Sequence, residues 1–197
     1  MLMEKEINEL SKILKPKRPF VCMMGGLKVS DKIKTIKHLA HLADKLLIGS
    51  AIANAFLKAS GKKIGKSKVD AVEVAEELLK HDHAKIILPK DVVVLNVQNK
   101  PETKHVEKLG EDDMIMDIGP QTRQMFKDEI KNAATVFWNG PLGVCERPEF
   151  ASGTEEIAQF TAGLSSTRIV GGGDSVSEIM HLNIEKRFTY ISTGGGA

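Results

Sequence analysis

Short apolar runs rich in valine and isoleucine alternate along the chain with longer stretches whose apolar residues recur at helical spacing. The runs predict strands near 20–24, 45–48, 85–88, 92–97, 114–117, 135–138, 168–170 and 188–192. The stretches between them predict helices near 30–42, 51–60, 70–80, 122–132, 154–164 and 175–183. Strands that are apolar at successive rather than alternate positions bury both faces, the mark of a parallel sheet covered by helices. The expected fold is therefore α/β, a doubly wound, mainly parallel sheet with helices on both faces.

Two segments depart from this alternation. Residues 1–15 carry apolar positions at Leu2, Ile7, Leu10, Ile13 and Leu14 with charges between them, which predicts one amphipathic helix. The prolines of KPKRP end it, so the expected organisation is a helix over 1–15 followed by a domain over 16–197. The stretch 96–113 is polar and charged and reads as an exposed loop or short hairpin.

Composition narrows the partners. With 28 basic and 26 acidic residues the net charge is +2, too weak a field to draw the chain onto nucleic acid or an anionic membrane. No apolar run approaches the roughly 20 residues of a membrane span. The charged start MLMEKEINEL lacks the apolar core of a secretion signal, so the expected location is cytoplasmic. Cys22 and Cys145 lie far apart without zinc-ligand spacing and read as reduced, buried thiols. The histidines at 38, 41, 81, 83, 105 and 181 read as surface residues.

The candidate chemistry lies in four glycine-bearing turns, each directly after an expected strand: Gly25-Gly26-Leu27-Lys28, Asn139-Gly140-Pro141, Gly171-Gly172-Gly173-Asp174-Ser175 and Thr193-Gly194-Gly195-Gly196. In an open parallel sheet such loops gather outside the carboxyl ends of the strands, where ligands bind. Consecutive glycines let backbone N–H groups approach an anion, and a helix starting just beyond adds unpaired donors. None of the four is a GxxxxGK[ST] or a clean GxGxxG pattern. One Gly-Gly is more often a tight turn; four on one sheet edge favour a phosphate-rich ligand. Asp174 has two readings, a ligand for Mg²⁺ on nucleotide phosphates or an N-cap of the following helix. Lys28 and Lys32, four apart, share a face if a helix starts near Val29. Two cations there oppose the helix dipole unless an anion sits between them.

In order and spacing, RPFV at 18–21, GGLKVSDKI at 25–33, FLKASGKKIGKS at 56–67, DIGPQT at 117–122, NAATVFWNGPLGVCE at 132–146, IVGGGDS at 169–175 and ISTGGGA at 191–197 resemble the phosphoglycerate kinase family over nearly the whole chain. The resemblance implies the nucleotide-binding, Rossmann-like C-terminal domain of a two-lobed glycolytic enzyme. That enzyme moves a phosphoryl group between 1,3-bisphosphoglycerate and MgADP, giving 3-phosphoglycerate and MgATP. It implies that Lys28 meets the α-phosphate and that Lys32 accompanies the transferring group. Gly172, Gly173 and Ser175 then meet the β- and γ-phosphates, and Asp174 binds Mg²⁺. Gly195, with its neighbours at 194 and 196, stabilises the transferring group, and Gly172 shares that catalytic role. Gly25 and Gly26 line the nucleotide, while Gly49, Gly140 and Glu146 contact adenosine.

The chain also departs from the family's pattern. Leu27 stands where the family has alanine, Ser50 and Ala51 stand where it has glycines, Ile115 replaces a glycine, and Cys145 replaces phenylalanine. Bulkier residues in place of glycine are expected to narrow the base slot, while Cys145 in place of phenylalanine makes room that Leu27 and Ile115 fill. The resemblance further implies that 3-phosphoglycerate binds only through an N-terminal domain outside this sequence, and that the C-terminal tail is outside it too. The expectation is a monomer that binds ATP or ADP with Mg²⁺ without turnover alone, with self-association through the first helix open to it. The alternative is a stand-alone nucleotide-binding or protein-interaction module. A dinucleotide oxidoreductase is disfavoured, since no acidic residue follows a GxGxxG at ribose-binding distance.

Overall fold

The computed structural model describes residues 15–82 and 85–192. The expected first helix, apart from its last residue, and the glycines at 194–196 lie outside them.

Six strands form one sheet in the order β3-β2-β1-β7-β8-β9: β1 (Phe20–Met24), β2 (Lys45–Ile48), β3 (Ile86–Ile87), β7 (Thr135–Asn139), β8 (Thr167–Gly171) and β9 (Tyr190–Ser192). Every neighbouring pair is parallel. From β1 the chain works outward to β3, and after β7 it works outward the other way, so strand order reverses between β1 and β7. The register places Ile48, Met24, Asn139, Gly171 and Ser192 in one row across the sheet. Five strands thus end level, and the loops that follow them share one edge.

Alternate residues of β1 show why helices cover both faces. Phe20, Cys22 and Met24 pack with α1 (Ile33–Leu42), α2 (Ser50–Ala59) and α3 (Val72–Asp82). Val21 and Met23 pack with α4 (Pro120–Ile130), α5 (Ser152–Ala162) and α6 (Gly173–His181). All five β1 side chains are buried, as a strand enclosed on both faces requires.

The structure corrects the reading of two segments. The strands expected at 92–97 and 114–117 do not join the parallel sheet. They are β4 (Asp91–Leu95) and β6 (Met114–Ile118), which with β5 (Pro101–His105) form a separate antiparallel sheet in the order β5-β4-β6. A turn at Asn96–Asn99 joins β4 to β5, too short a connection for a parallel crossover. Within the segment expected to be a loop or hairpin, the hairpin is what forms. Val92 and Val94 bury against Leu57, Ile64, Val106 and Leu109, which gives this sheet its own small core beside α2. Among the described residues no helix is long and apolar enough to cross a membrane.

Candidate functional site

The reversal of strand order puts the loops after β1 and β7 side by side at the sheet edge, the crevice where ligands of such sheets bind. Gly25 N donates to Asn139 O at 2.9 Å. A Cβ at Gly25 would lie 1.9 Å from Pro141 O, and one at Gly140, whose φ is +90°, would lie 2.1 Å from Gly25 O. These two glycines are there because the loops cross backbone against backbone. The crossing is pinned from below by Trp138, whose Nε1 donates to Gly140 O at 2.7 Å. It is pinned from the side by Ser175, whose Oγ accepts from Gly140 N at 2.5 Å.

Lys32 closes the crossing. Its Nζ donates to Gly25 O at 2.9 Å and to Asn139 Oδ1 at 2.6 Å. Burial pulls the ammonium below the ordinary lysine range, and the nearby Asp174 carboxylate, followed by Asp31, opposes that shift. A partly buried cation still held below its ordinary range, despite two nearby carboxylates, gains from a further anion. The shared helix face expected for Lys28 and Lys32 is corrected. Residues 30–32 form a 3₁₀ turn and α1 starts only at Ile33. Lys28 is exposed in the loop, its charge acting on Asp70, whose carboxylate accepts from Val29 N and Ser30 N.

Across the crevice, α6 begins directly after β8. Its capping position is Gly172, with φ +91°, and no side chain caps it, so the two readings of Asp174 separate. Asp174 sits in the first turn, exposed, and is not the cap. A side chain at Gly173 would meet nothing within 4 Å; the backbone there faces open space. Ser175 is fully buried and engaged by Gly140, so it braces the loop rather than facing an anion.

A cavity of about 280 Å³ opens beside this end, lined by Leu27, Ser50, Ala51, Asn54, Lys68, Met114, Ile115, Met116, Val144 and Glu146. Four of the residues expected to bear on the base slot, Leu27, Ser50, Ala51 and Ile115, are in its walls. Leu27 among them is 59% exposed. Glu146 lines it, whereas Gly49 and Gly140 do not. Gly49 instead packs on Leu142, whose Cδ2 would lie 2.8 Å from an added Cβ. Cys145 is half-buried rather than buried and lies outside the lining; burial pushes its thiol up to about 12. Ser50 holds φ +55°, a left-handed conformation that only glycine adopts without cost.

The cavity wall is tied down by Asp117. Its buried carboxylate accepts from Gly153 N at 2.7 Å and from Ile118 N at 2.8 Å. It lies so close to Gly143 and Gly153 that a Cβ on either would sit 2.2 Å from Oδ1. Burial carries this carboxyl up to about 7. Val144 N donates to Met116 O at 2.9 Å, joining the same loop to β6.

Sequence reasoning missed Asn139, Asn54, Lys68 and Asp117 as site residues. Asn139 and Asp117 stand inside the motifs WNGP and DIGP, beside residues that drew notice; Asn54 and Lys68 carry no local signal.

The phosphoglycerate kinase family model matches residues 1–197. The chain belongs to that family. It is 46% identical over 207 residues to the phosphoglycerate kinase of Dictyoglomus turgidum, covering 100% of this chain and 52% of the relative. It is 47% identical over 204 residues to that of Limosilactobacillus reuteri, covering 100% and 50%. The solved phosphoglycerate kinase of Coxiella burnetii superposes with a TM-score of 0.93 at 35% identity, over 99% of this chain and 53% of that one. That of Pyrococcus horikoshii gives 0.88 at 33%, over 99% and 52%. The chain thus spans about half the length of the curated relatives it matches.

Proposed function

We propose that this domain binds MgADP and MgATP and supplies the nucleotide half of a reversible phosphoryl transfer with 1,3-bisphosphoglycerate and 3-phosphoglycerate. One observation carries the reading: at the reversal of strand order, Lys32, the open backbone at Gly172–Gly173 and Asp174 stand beside an apolar cavity. A nucleotide needs both parts, a cationic end for phosphates and an apolar end for the base. Phosphoryl transfer asks a protein chiefly to position the groups and neutralise charge. Lys32 and the N–H groups at the start of α6 do this for the distal phosphates, and exposed Lys28 can reach the proximal one. Glu146 is placed to accept from ribose hydroxyls.

The residues fit Mg²⁺. Asp174 offers an exposed carboxylate with no capping duty, and among the described residues no cluster of three acidic, histidine or cysteine side chains forms a protein-only metal cage. Mg²⁺ commonly takes one or two carboxylates and completes its shell with phosphates and water. Held there it would neutralise phosphate charge.

The chain by itself is expected to bind nucleotide at micromolar strength or weaker, at most about −8 kcal/mol. It is expected to give no turnover, because the acyl-phosphate needs charged groups these residues do not supply. Calorimetry with ADP tests the binding. Asp174→Ala should weaken MgADP about tenfold and leave metal-free ADP nearly unchanged; equal weakening of both would overturn the metal role. Sustained ATP formation from 1,3-bisphosphoglycerate and MgADP, abolished by Lys32→Ala, would overturn the expectation of inactivity.

A further inference from the structure

The segment that carries both lysines of the crevice is fastened from a distant part of the chain. Asp70, forty residues beyond Ser30, accepts from Val29 N at 2.9 Å and from Ser30 N at 3.1 Å. These amides open the 3₁₀ turn at 30–32, which closes with Lys32 N donating to Val29 O at 2.9 Å. Neither Val29 at the head of that turn nor Lys32 at the head of α1 supplies a capping side chain. The Asp70 carboxylate takes the part of the missing cap. On the other side of Lys28, Gly26 O accepts from Ile52 N at 3.3 Å, and Val29 is fully buried. Lys28 is thus an exposed residue on a short stretch held at both ends. Lys28 and Asp70 share a cavity of about 350 Å³ with Leu27, Ser30, Lys68 and Val69. Burial works against the charged form of Asp70, yet the Ser30 hydroxyl, the two amides and the Lys28 charge hold its carboxyl below the usual range. The chain bends just beyond it. Ala71 takes φ +49°, a left-handed backbone that an L-residue adopts only at a cost, and α3 starts at Val72.

We propose that Asp70 is a positioning residue for phosphate binding: by capping the turn at 29–32 it fixes the backbone from which Lys28 reaches a phosphate in the crevice. Asp70 itself touches no ligand in this role. An anion beside Lys28 weakens by its charge the pull on a phosphate, so charge and geometry predict opposite outcomes when the carboxylate is removed. With the cap gone, the amides of Val29 and Ser30 lose their acceptor and the turn frays. The ligand must then order Lys28 itself, at an entropic cost that lowers affinity. The inference rests on the nucleotide reading above and adds to it a residue from the connection between α2 and α3.

The test is calorimetry with ADP and with adenosine on the unaltered chain, Lys28→Ala, Asp70→Ala and the double variant, each checked for native circular dichroism. Asp70→Ala should bind ADP roughly tenfold more weakly and adenosine as before. Asp70→Asn, a cap of equal rank, should stay within about twofold of the unaltered chain for both ligands. Lys28→Ala should weaken ADP roughly tenfold in the unaltered chain but less than about twofold once Asp70 is gone, because the two residues serve one contact. ADP binding unchanged or tighter in Asp70→Ala would show that only the carboxylate's charge matters, and would overturn the inference. So would equal losses for ADP and adenosine, which mark general structural support, or additive losses in the double variant. Each of these leaves the nucleotide reading standing. Binding of neither ligand by the unaltered chain overturns that reading and this inference together. Should Asp70→Ala fail to fold, Asp70→Glu takes its place in the same cycle with the same expectations, since it keeps the charge but sets it one methylene too far for the two amides.

Discussion

At the phosphate end of the crevice, Gly25, Gly140 and Gly172 shape backbone, and one side chain, Lys32, is clamped between a carbonyl and Asn139. At the base end, the cavity is walled by side chains from the β1 loop, α2, β6 and the β7–α5 loop, with a single unpaired acceptor among them. The first end is rigid because main chains cross at contact distance, and a methyl group has no room there. The second is formed by apolar packing, which tolerates changes of shape at fixed volume. On the proposed nucleotide reading, charge recognition would rest on backbone geometry and base recognition on exchangeable side chains. Four of the departures from the family's pattern, Leu27, Ser50, Ala51 and Ile115, line the second end, Leu27 standing in the turn that also carries Gly25, Gly26 and Lys28.

That contrast breaks most sharply at the loop crossing. Gly140→Ala combines a left-handed φ with a contact 2.1 Å from Gly25 O, and should cost roughly 3 kcal/mol or more. Urea denaturation measures it; a loss below ~1 kcal/mol would show that the crossing yields easily.

The base end should answer to pH through Asp117. Its folded carboxyl lies at about 7 against 3.8 for an ordinary aspartate. Between those values the native state holds a proton that the unfolded chain has released, so this group's contribution falls as pH rises from 4 to 7. At ~1.4 kcal/mol per unit, the full decline is on the order of 4 kcal/mol. Asp117→Asn keeps the acceptor for Gly153 N and removes the titration. The difference in stability between unaltered chain and variant, followed by urea denaturation across that range, should shift toward the variant as pH rises. A difference independent of pH would show that the carboxylate is ionised throughout.

Lys32→Ala separates the two ends. Loss of a partly buried, charge-assisted contact is worth about 2 kcal/mol, so ADP should bind roughly thirtyfold more weakly, whereas adenosine, which has no phosphate, should be unaffected. Equal loss for both ligands in calorimetry would mean that the lysine holds up the base cavity as well.

The smallest effect sharpens the comparison from the base side. Ser50 carries φ +55°, so Ser50→Gly should raise stability by roughly 1 kcal/mol. A glycine that destabilises would show that the Ser50 side chain stabilises the start of α2 by more than its backbone strain costs.

Strand–helix alternation, the sheet's parallel character and the glycine turns were all legible in order, because each depends on residues adjacent in the chain. The apolar runs of β1 and β7 are buried along their whole length, and a turn needing positive φ asks for glycine locally. The second sheet was less so: β5 is PETKH, mostly exposed, and a polar strand leaves no apolar period to read. Which helix turn carried Lys32 also escaped, since the 3₁₀ turn at 30–32 is held by Asp70 forty residues on. Tertiary structure alone decided that Gly25 and Gly140 press on each other, that Ser175 turns inward, and that Asn54 is left with one unmade bond beside residues 114–116. Those facts belong to segments brought together from across the chain, and burial, clash and an unpaired acceptor exist only once the segments meet.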